Sequence, residues 1–187
     1  MAAEVSTQVL PKEMYRLKNR SSGPQEVFVD LIPLLNRLVN NEYPSYIRVE
    51  KRQRTYGVPN YGEILNCMNP SDGDLWDIFL PGYHKTLDRT VTYEIEKVFG
   101  VLLTPNGNHK IAVSIKEFPV DPLVVEADIL TFCNEYAKSH RFVCKWIHIQ
   151  KFDTEEVRNK CAFLQGLFHA YRNNGTWGKK RTKIFSS

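Results

Sequence analysis

A chain of 187 residues, 42% apolar and 25% charged, is long enough to bury one hydrophobic core and too apolar to stay disordered along its length. Its net charge of +4 tolerates anionic partners without demanding nucleic acid. No apolar run is long enough for a bilayer span, and the first twenty residues lack the apolar centre of a secretory signal, so a cytoplasmic protein without a membrane partner is expected.

Residues 1–25 are polar and irregular, end in "SSGP", and read as a flexible arm. "EVFVDLIP" (26–33) has strand composition, and "LLNRLVNNEYP" (34–44) is compatible with either a helical turn or a loop insertion. "SYIRVEKRQRTYG" then alternates, with Tyr46, Arg48 and Glu50 on one side and Ile47 and Val49 on the other, as a half-buried strand does. Further strands are expected at "WDIFLP", "TVTYEIEKVFGVLLT" and "HKIAVSI", separated by the turn signals "NPSDGD", "PGY" and "PNGN".

The last third changes period. "DPLVVEADILTFCNEYAKSH" (121–140) predicts a helix with Pro122 in its first turn and Leu123, Ala127, Leu130 and Phe132 or Cys133 on its apolar face. "KWIHI" is a short strand. "DTEEVRNKCAFLQGLFHAYR" (153–172) is the plainest helix. Asp153 stands at its N-cap with Glu156 three residues on, and Val157, Cys161, Leu164, Phe168 and Tyr171 form one stripe. Strands followed by helix, strand and helix predict an α+β fold: a small antiparallel β-barrel, OB-like, with two C-terminal helices packed on it over residues 26–172. Residues 173–187 form a basic tail with Lys179, Lys180 and Arg181, a cluster that also suits a nuclear address.

The four cysteines show no CxxC pair and no zinc spacing, and read as reduced, mostly buried thiols. The five histidines form no metal spacing; His109 reads as a surface residue, and Trp76 as a core anchor. The chemistry concentrates in "SDGDLWDIF" (71–79). Asp72, Asp74 and Asp77 lie on a glycine-containing turn at the head of a strand, and hard divalent cations take such carboxylates. On its own the triad reads first as a solvated turn capped by Asp72. Its neighbours sharpen it: Tyr56 and Tyr61 flank a proline turn upstream, and Lys110 heads a strand downstream. A nucleic-acid face is the third reading, from Lys51, Arg52 and Arg54 interleaved with Tyr56.

Taken in order, these motifs resemble the soluble, magnesium-dependent inorganic pyrophosphatases of the small-barrel type. "VPNYG" is similar to that family's "PxNYG" turn, "DGDLWDI" to its "DGDPxDV", "FGVLLTPNGNHKIAV" to its "GVL … DDKIIAV", and "EYAK" to its "HYK" run. The resemblance implies a barrel that hydrolyses pyrophosphate with magnesium, and a tendency to self-associate. It implies Asp72, Asp74 and Asp77 as metal ligands, with Asp74 holding the attacking water and Tyr61 beside it. Lys110 and Tyr136 would meet the phosphate. Arg52 or Arg54 would stand in for the family's arginine, and Lys138 comes one residue late for the lysine that Ala137 replaces in the "HYK" run.

The departures are specific. Where the family places two aspartates before its lysine, this chain has Asn106 and Asn108; where it places a glutamate on the first strand, Leu31 stands; its "KYE" run becomes Ser45–Tyr46–Ile47. Two-metal hydrolysis works best with ions about 4 Å apart, and an amide in place of a carboxylate removes a full charge. One ion rather than several, weakened hydrolysis, and an inactive pyrophosphate- or phosphate-binding relative are therefore all expectations of this sequence.

Overall fold

The computed structural model describes residues 26–41, 44–50 and 54–173. The arm expected at 1–25, Lys51, Arg52, the side chain of Tyr171 and the basic cluster Lys179–Arg181 lie outside the described residues. Seven strands and three α-helices follow one another among those that remain: β1 (Val27–Phe28), α1 (Leu31–Asn40), β2 (Tyr46–Val49), β3 (Tyr61–Met68), β4 (Leu75–Phe79), β5 (Thr92–Leu103), β6 (Lys110–Ile115), α2 (Pro122–His140), β7 (Lys145–His148) and α3 (Thr154–Asn173). No described helix is long and apolar enough to cross a membrane.

Five strands close a barrel in the ring order β2–β3–β4–β6–β5, and β5 returns to β2. Four of the five joints are antiparallel, as expected. The fifth, β4 with β6, is parallel, with Ile78 opposite Ile111 and Phe79 opposite Ala112. β1 adds to β3 in parallel, and β7 to β5 antiparallel. The fold is thus a small α+β barrel with two strands laid on its outside edges.

Period-two alternation divides the side chains between two cores. Ile47 and Val49 of β2, Ile64 of β3, Trp76 and Ile78 of β4, and Ile111, Val113 and Ile115 of β6 fill the inside of the ring. On the opposite faces of β4 and β6, Phe79 and Ala112 turn outward to meet α2. β6 is therefore buried along its whole length, its polar positions included. Gly62 makes the β2–β3 joint: a Cβ there would lie 2.1 Å from the Arg48 carbonyl oxygen, so the glycine of "NYG" is a packing requirement.

α3 matches the sequence closely. The Glu156 N–H donates to Asp153 Oδ1 at 2.7 Å, and Val157, Cys161, Leu164 and Phe168 face inward. Val157 and Leu164 complete the barrel's inner core.

Three expectations are corrected. The end of "EVFVDLIP" is not strand: after two residues of β1 the chain turns into α1, which runs on through "LLNRLVN" and settles that stretch as helix, with Leu31, Leu34, Leu35 and Leu38 at helical spacing and joined to the inner core. "YGEILNC" is strand β3, where the sequence suggested only a turn. α2 buries Phe132 and Cys133 as expected, but not the rest of the expected face. Leu123 and Leu130 are 90% and 50% exposed, and Ala127 is exposed too. Val125, Ile129, Phe132, Cys133, Tyr136 and Ala137 are the buried set. The aromatic residues decide this, because Phe132 stacks on Phe79 with centroids 3.7 Å apart and fixes the rotation of the helix.

Candidate functional site

The acidic turn is held from below. Asn69 is 1% exposed; its Oδ1 accepts the Ser71 N–H at 2.9 Å, and its Nδ2 donates to the Gly107 carbonyl at 3.3 Å. This one amide joins the acidic turn to the β5–β6 hairpin, a role that nothing in the local sequence signals. Within the turn, Asp72 Oδ1 accepts the Asp74 N–H at 3.1 Å, the short-range bond that aspartate commonly makes in turns.

Strand register sets the centre of the site. Asp77 points outward one residue before Ile78, and Lys110 one residue before Ile111, so the parallel β4–β6 joint brings their side chains together. Lys110 Nζ donates to Asp77 Oδ2 in an ion pair, and to Asn108 Oδ1 at 2.7 Å. Tyr61 is diagonal to Asp77 across the β3–β4 ladder, close enough for that carboxylate to act on its hydroxyl. From α2, Tyr136 comes down over Lys110: the ammonium lies 5.5 Å from the Tyr136 centroid and 6.0 Å from that of Tyr61, within cation–π range of both.

Burial shapes the electrostatics. Lys110 is 3% exposed; burial pulls it below the ordinary lysine value, and Asp77, then Asp72 and Glu50, oppose that pull. Tyr61 is pushed far above the ordinary phenol range, first by burial and then by the Asp77 carboxylate, so its proton stays on. Burial raises Tyr136 in the same way. Asp72 sits at the exposed rim. Partial burial of its carboxyl, with Asp74 and Asp77 nearby, lifts it above the usual carboxylate value, against the Asp74 N–H and Lys110.

The structure thus brings Asp77, Lys110, Tyr61 and Tyr136 into one cluster, with Asp72 close enough to feel its charges. Asp74 is exposed beside it. Arg54, also exposed, donates to the Gly57 carbonyl in the bend that carries Tyr56, whose ring meets Tyr136 edge-on at 5.0 Å. Lys138 is exposed two residues after Tyr136, which puts it roughly 200° away around α2 and off the cluster. Among the described residues, no three Asp, Glu, His or Cys side chains meet closely enough to hold a metal ion. Asp77, the innermost of the three aspartates, is paired with Lys110.

The neighbourhood holds further residues that motif reasoning left aside. His140 stacks on Tyr136 at 4.1 Å, one helical turn on, and its Nδ1 lies 3.0 Å from the Tyr136 carbonyl. Asn106, at one of the positions where the resemblance expects a carboxylate, accepts the Thr104 hydroxyl at 2.9 Å and the Asn108 N–H at 3.2 Å, and so stays inside its own hairpin.

His109 is not a surface residue. It is 6% exposed and stacked on Trp76 with centroids 6.1 Å apart; its Nδ1 accepts the Thr104 N–H at 2.9 Å, and its Nε2 faces Cys161 Sγ at 3.8 Å. That geometry leaves the ring proton on Nε2, so His109 cannot serve Cys161 as a base. Burial also pushes the Cys161 thiol up to about 11, away from nucleophilic use. All four cysteines are free, and three are buried, as expected. Trp76 is the core anchor expected of it, 2% exposed with its indole N–H on the Val29 carbonyl at 2.8 Å.

Set against known proteins, the chain matches no family model, no curated protein and no solved structure.

Proposed function

We propose that this chain is a divergent barrel of the inorganic pyrophosphatase type that has lost most or all of its hydrolytic power and acts as a binding or regulatory protein for a phosphate-bearing ligand. The observation that carries the reading is the meeting of Asp77, Lys110, Tyr61 and Tyr136. They come from four elements, and each was singled out by a separate motif. The ring order, with its single parallel joint, supports the OB-like type of barrel.

Loss of hydrolysis follows from what surrounds that cluster. Pyrophosphate cleavage needs cations to make a hydroxide from bound water and to neutralise the leaving phosphate. The hairpin offers amides, Asn106 and Asn108, where a second ion would need carboxylates, and both amides already have partners. A missing charge at a partly buried ion site costs several kcal/mol, and every ~1.4 kcal/mol of transition-state stabilisation is about tenfold in rate. A rate on the order of a thousandfold or more below a two-metal site is the consequence. A phosphate group arriving at the site meets Tyr136 and Tyr56 and, at the edge, Arg54; it reaches Lys110 only by drawing the ammonium from Asp77.

Phosphate release from pyrophosphate with magnesium tests the reading, with Asp74→Asn as the control. The expected result is release no greater than the control, together with pyrophosphate binding by calorimetry that Lys110→Met weakens. Release far above the Asp74→Asn chain would instead establish a working hydrolase.

A further inference from the structure

We infer that the ammonium of Lys110 is the resident cation of this site: it occupies the charge position beside Asp77 that a divalent ion would take, and the wild-type chain holds no divalent ion there. The cage around Nζ supports this. One carboxylate oxygen (Asp77), one amide oxygen (Asn108, 2.7 Å) and two aromatic faces (Tyr61 and Tyr136) surround it, a set suited to a monovalent organic cation. The bonding also matches: Asp77 is the carboxylate and Asn108 the amide that Nζ bonds, with Asp72 and Glu50 adding charge from farther off, so an ion at the same point would have one carboxylate and one neutral amide in direct contact.

Position reinforces the chemistry. Lys110 is 3% exposed and tethered to β6, so it is present beside Asp77 at no cost in translational freedom, whereas a magnesium ion must also give up strongly held water. To seat that ion, Asp77 would have to release an ammonium which then lies buried without its carboxylate, a strongly unfavourable exchange. Asn108 marks the same change from the other side. It sits two residues before Lys110 on the same face, where a carboxylate would have favoured a metal.

The inference shares with the proposed function only the view that the acidic turn is related to a cation seat, and the two fail separately. Manganese uptake by the full-length chain, followed by water-proton relaxation, and thermal unfolding in EDTA and in millimolar magnesium test it on wild type and Lys110→Met. Wild type should take up manganese only at millimolar concentrations and melt at the same temperature in both buffers. Lys110→Met, which frees Asp77, should bind manganese at least about tenfold more tightly and melt higher with magnesium. Micromolar manganese binding by wild type, or no gain in Lys110→Met, overturns the inference and leaves the proposed function to its own assay. Should Lys110→Met fail to fold in either buffer, wild type decides alone: micromolar uptake refutes the proposal, and no uptake with unchanged melting supports it.

Discussion

Mild acid should destabilise this chain through the buried ring of His109. Its imidazole, ordinarily near 6.5, is lowered to about 3, because burial first and the charge of Lys110 second penalise the imidazolium. A base whose folded value lies below its unfolded value favours the native state fully above 6.5 and loses that advantage as pH falls toward 3, since the unfolded chain then binds a proton that the native one refuses. Between pH 7 and pH 5 the loss amounts to about 2 kcal/mol, approaching ~1.4 kcal/mol per pH unit at the acid end. The assay is urea unfolding at several pH values between 7 and 5 on wild type and His109→Asn. The asparagine oxygen can still accept the Thr104 N–H, but it does not titrate. Absolute stability of the variant will fall, because the stack on Trp76 is lost. The slope is what matters: it should flatten by close to one proton's worth. An unchanged slope in His109→Asn would refute the burial argument, whatever the variant's stability at pH 7.

Two further predictions concern the scaffold. Gly62→Ala should destabilise by about 1–3 kcal/mol or prevent soluble expression, since its Cβ meets backbone at 2.1 Å and cannot be relieved by a rotamer; denaturant unfolding with an unchanged midpoint would contradict the close β2–β3 approach. Asp153→Ala should remove about 1 kcal/mol through the lost N-cap and lower the melting temperature by roughly 2–4 °C, while Asp153→Asn should lose only a fraction of that in a thermal melt.

The parts of the fold legible in the sequence were those with local causes. The Asp153 cap, the α3 stripe, the "PNGN" hairpin and the alternation of β2 depend on residues within a few positions of one another, and the structure has them. α2 failed in one respect only. Leu123, Ala127 and Leu130 make as regular a stripe as Val125, Ile129 and Phe132, and only the distant Phe79 ring chooses between them. α1 was concealed because the β-type residues of "EVFVD" run directly into its leucines, and helical spacing is visible only if the count starts at Leu31. β3 was hidden for the opposite reason: it is buried on both faces and interrupted near Asn66, whose φ is +64°, so no clean alternation survives.

At the site, Tyr61, Asp77, Lys110 and Tyr136 could be found from motif order. Their mutual bonding could not, because it depends on the register of two strands that have the whole of β5 between them. His109 shows the same limit. A histidine next to a lysine looks solvent-facing, and its burial follows from Trp76 beneath and Cys161 of α3 across from it.

The parallel joint also bears on how the chain folds. Every other seam of the ring joins strands that run in opposite directions, whereas this one links Asp77 to a lysine 33 positions away and needs the intervening hairpin already in place. Shutting it carries a larger loop-closure cost than a tight hairpin does. The charged pair therefore works as a latch on this seam, and a chain in which β4 and β6 had not yet met would present an open edge with an unmatched aspartate and lysine on its two lips.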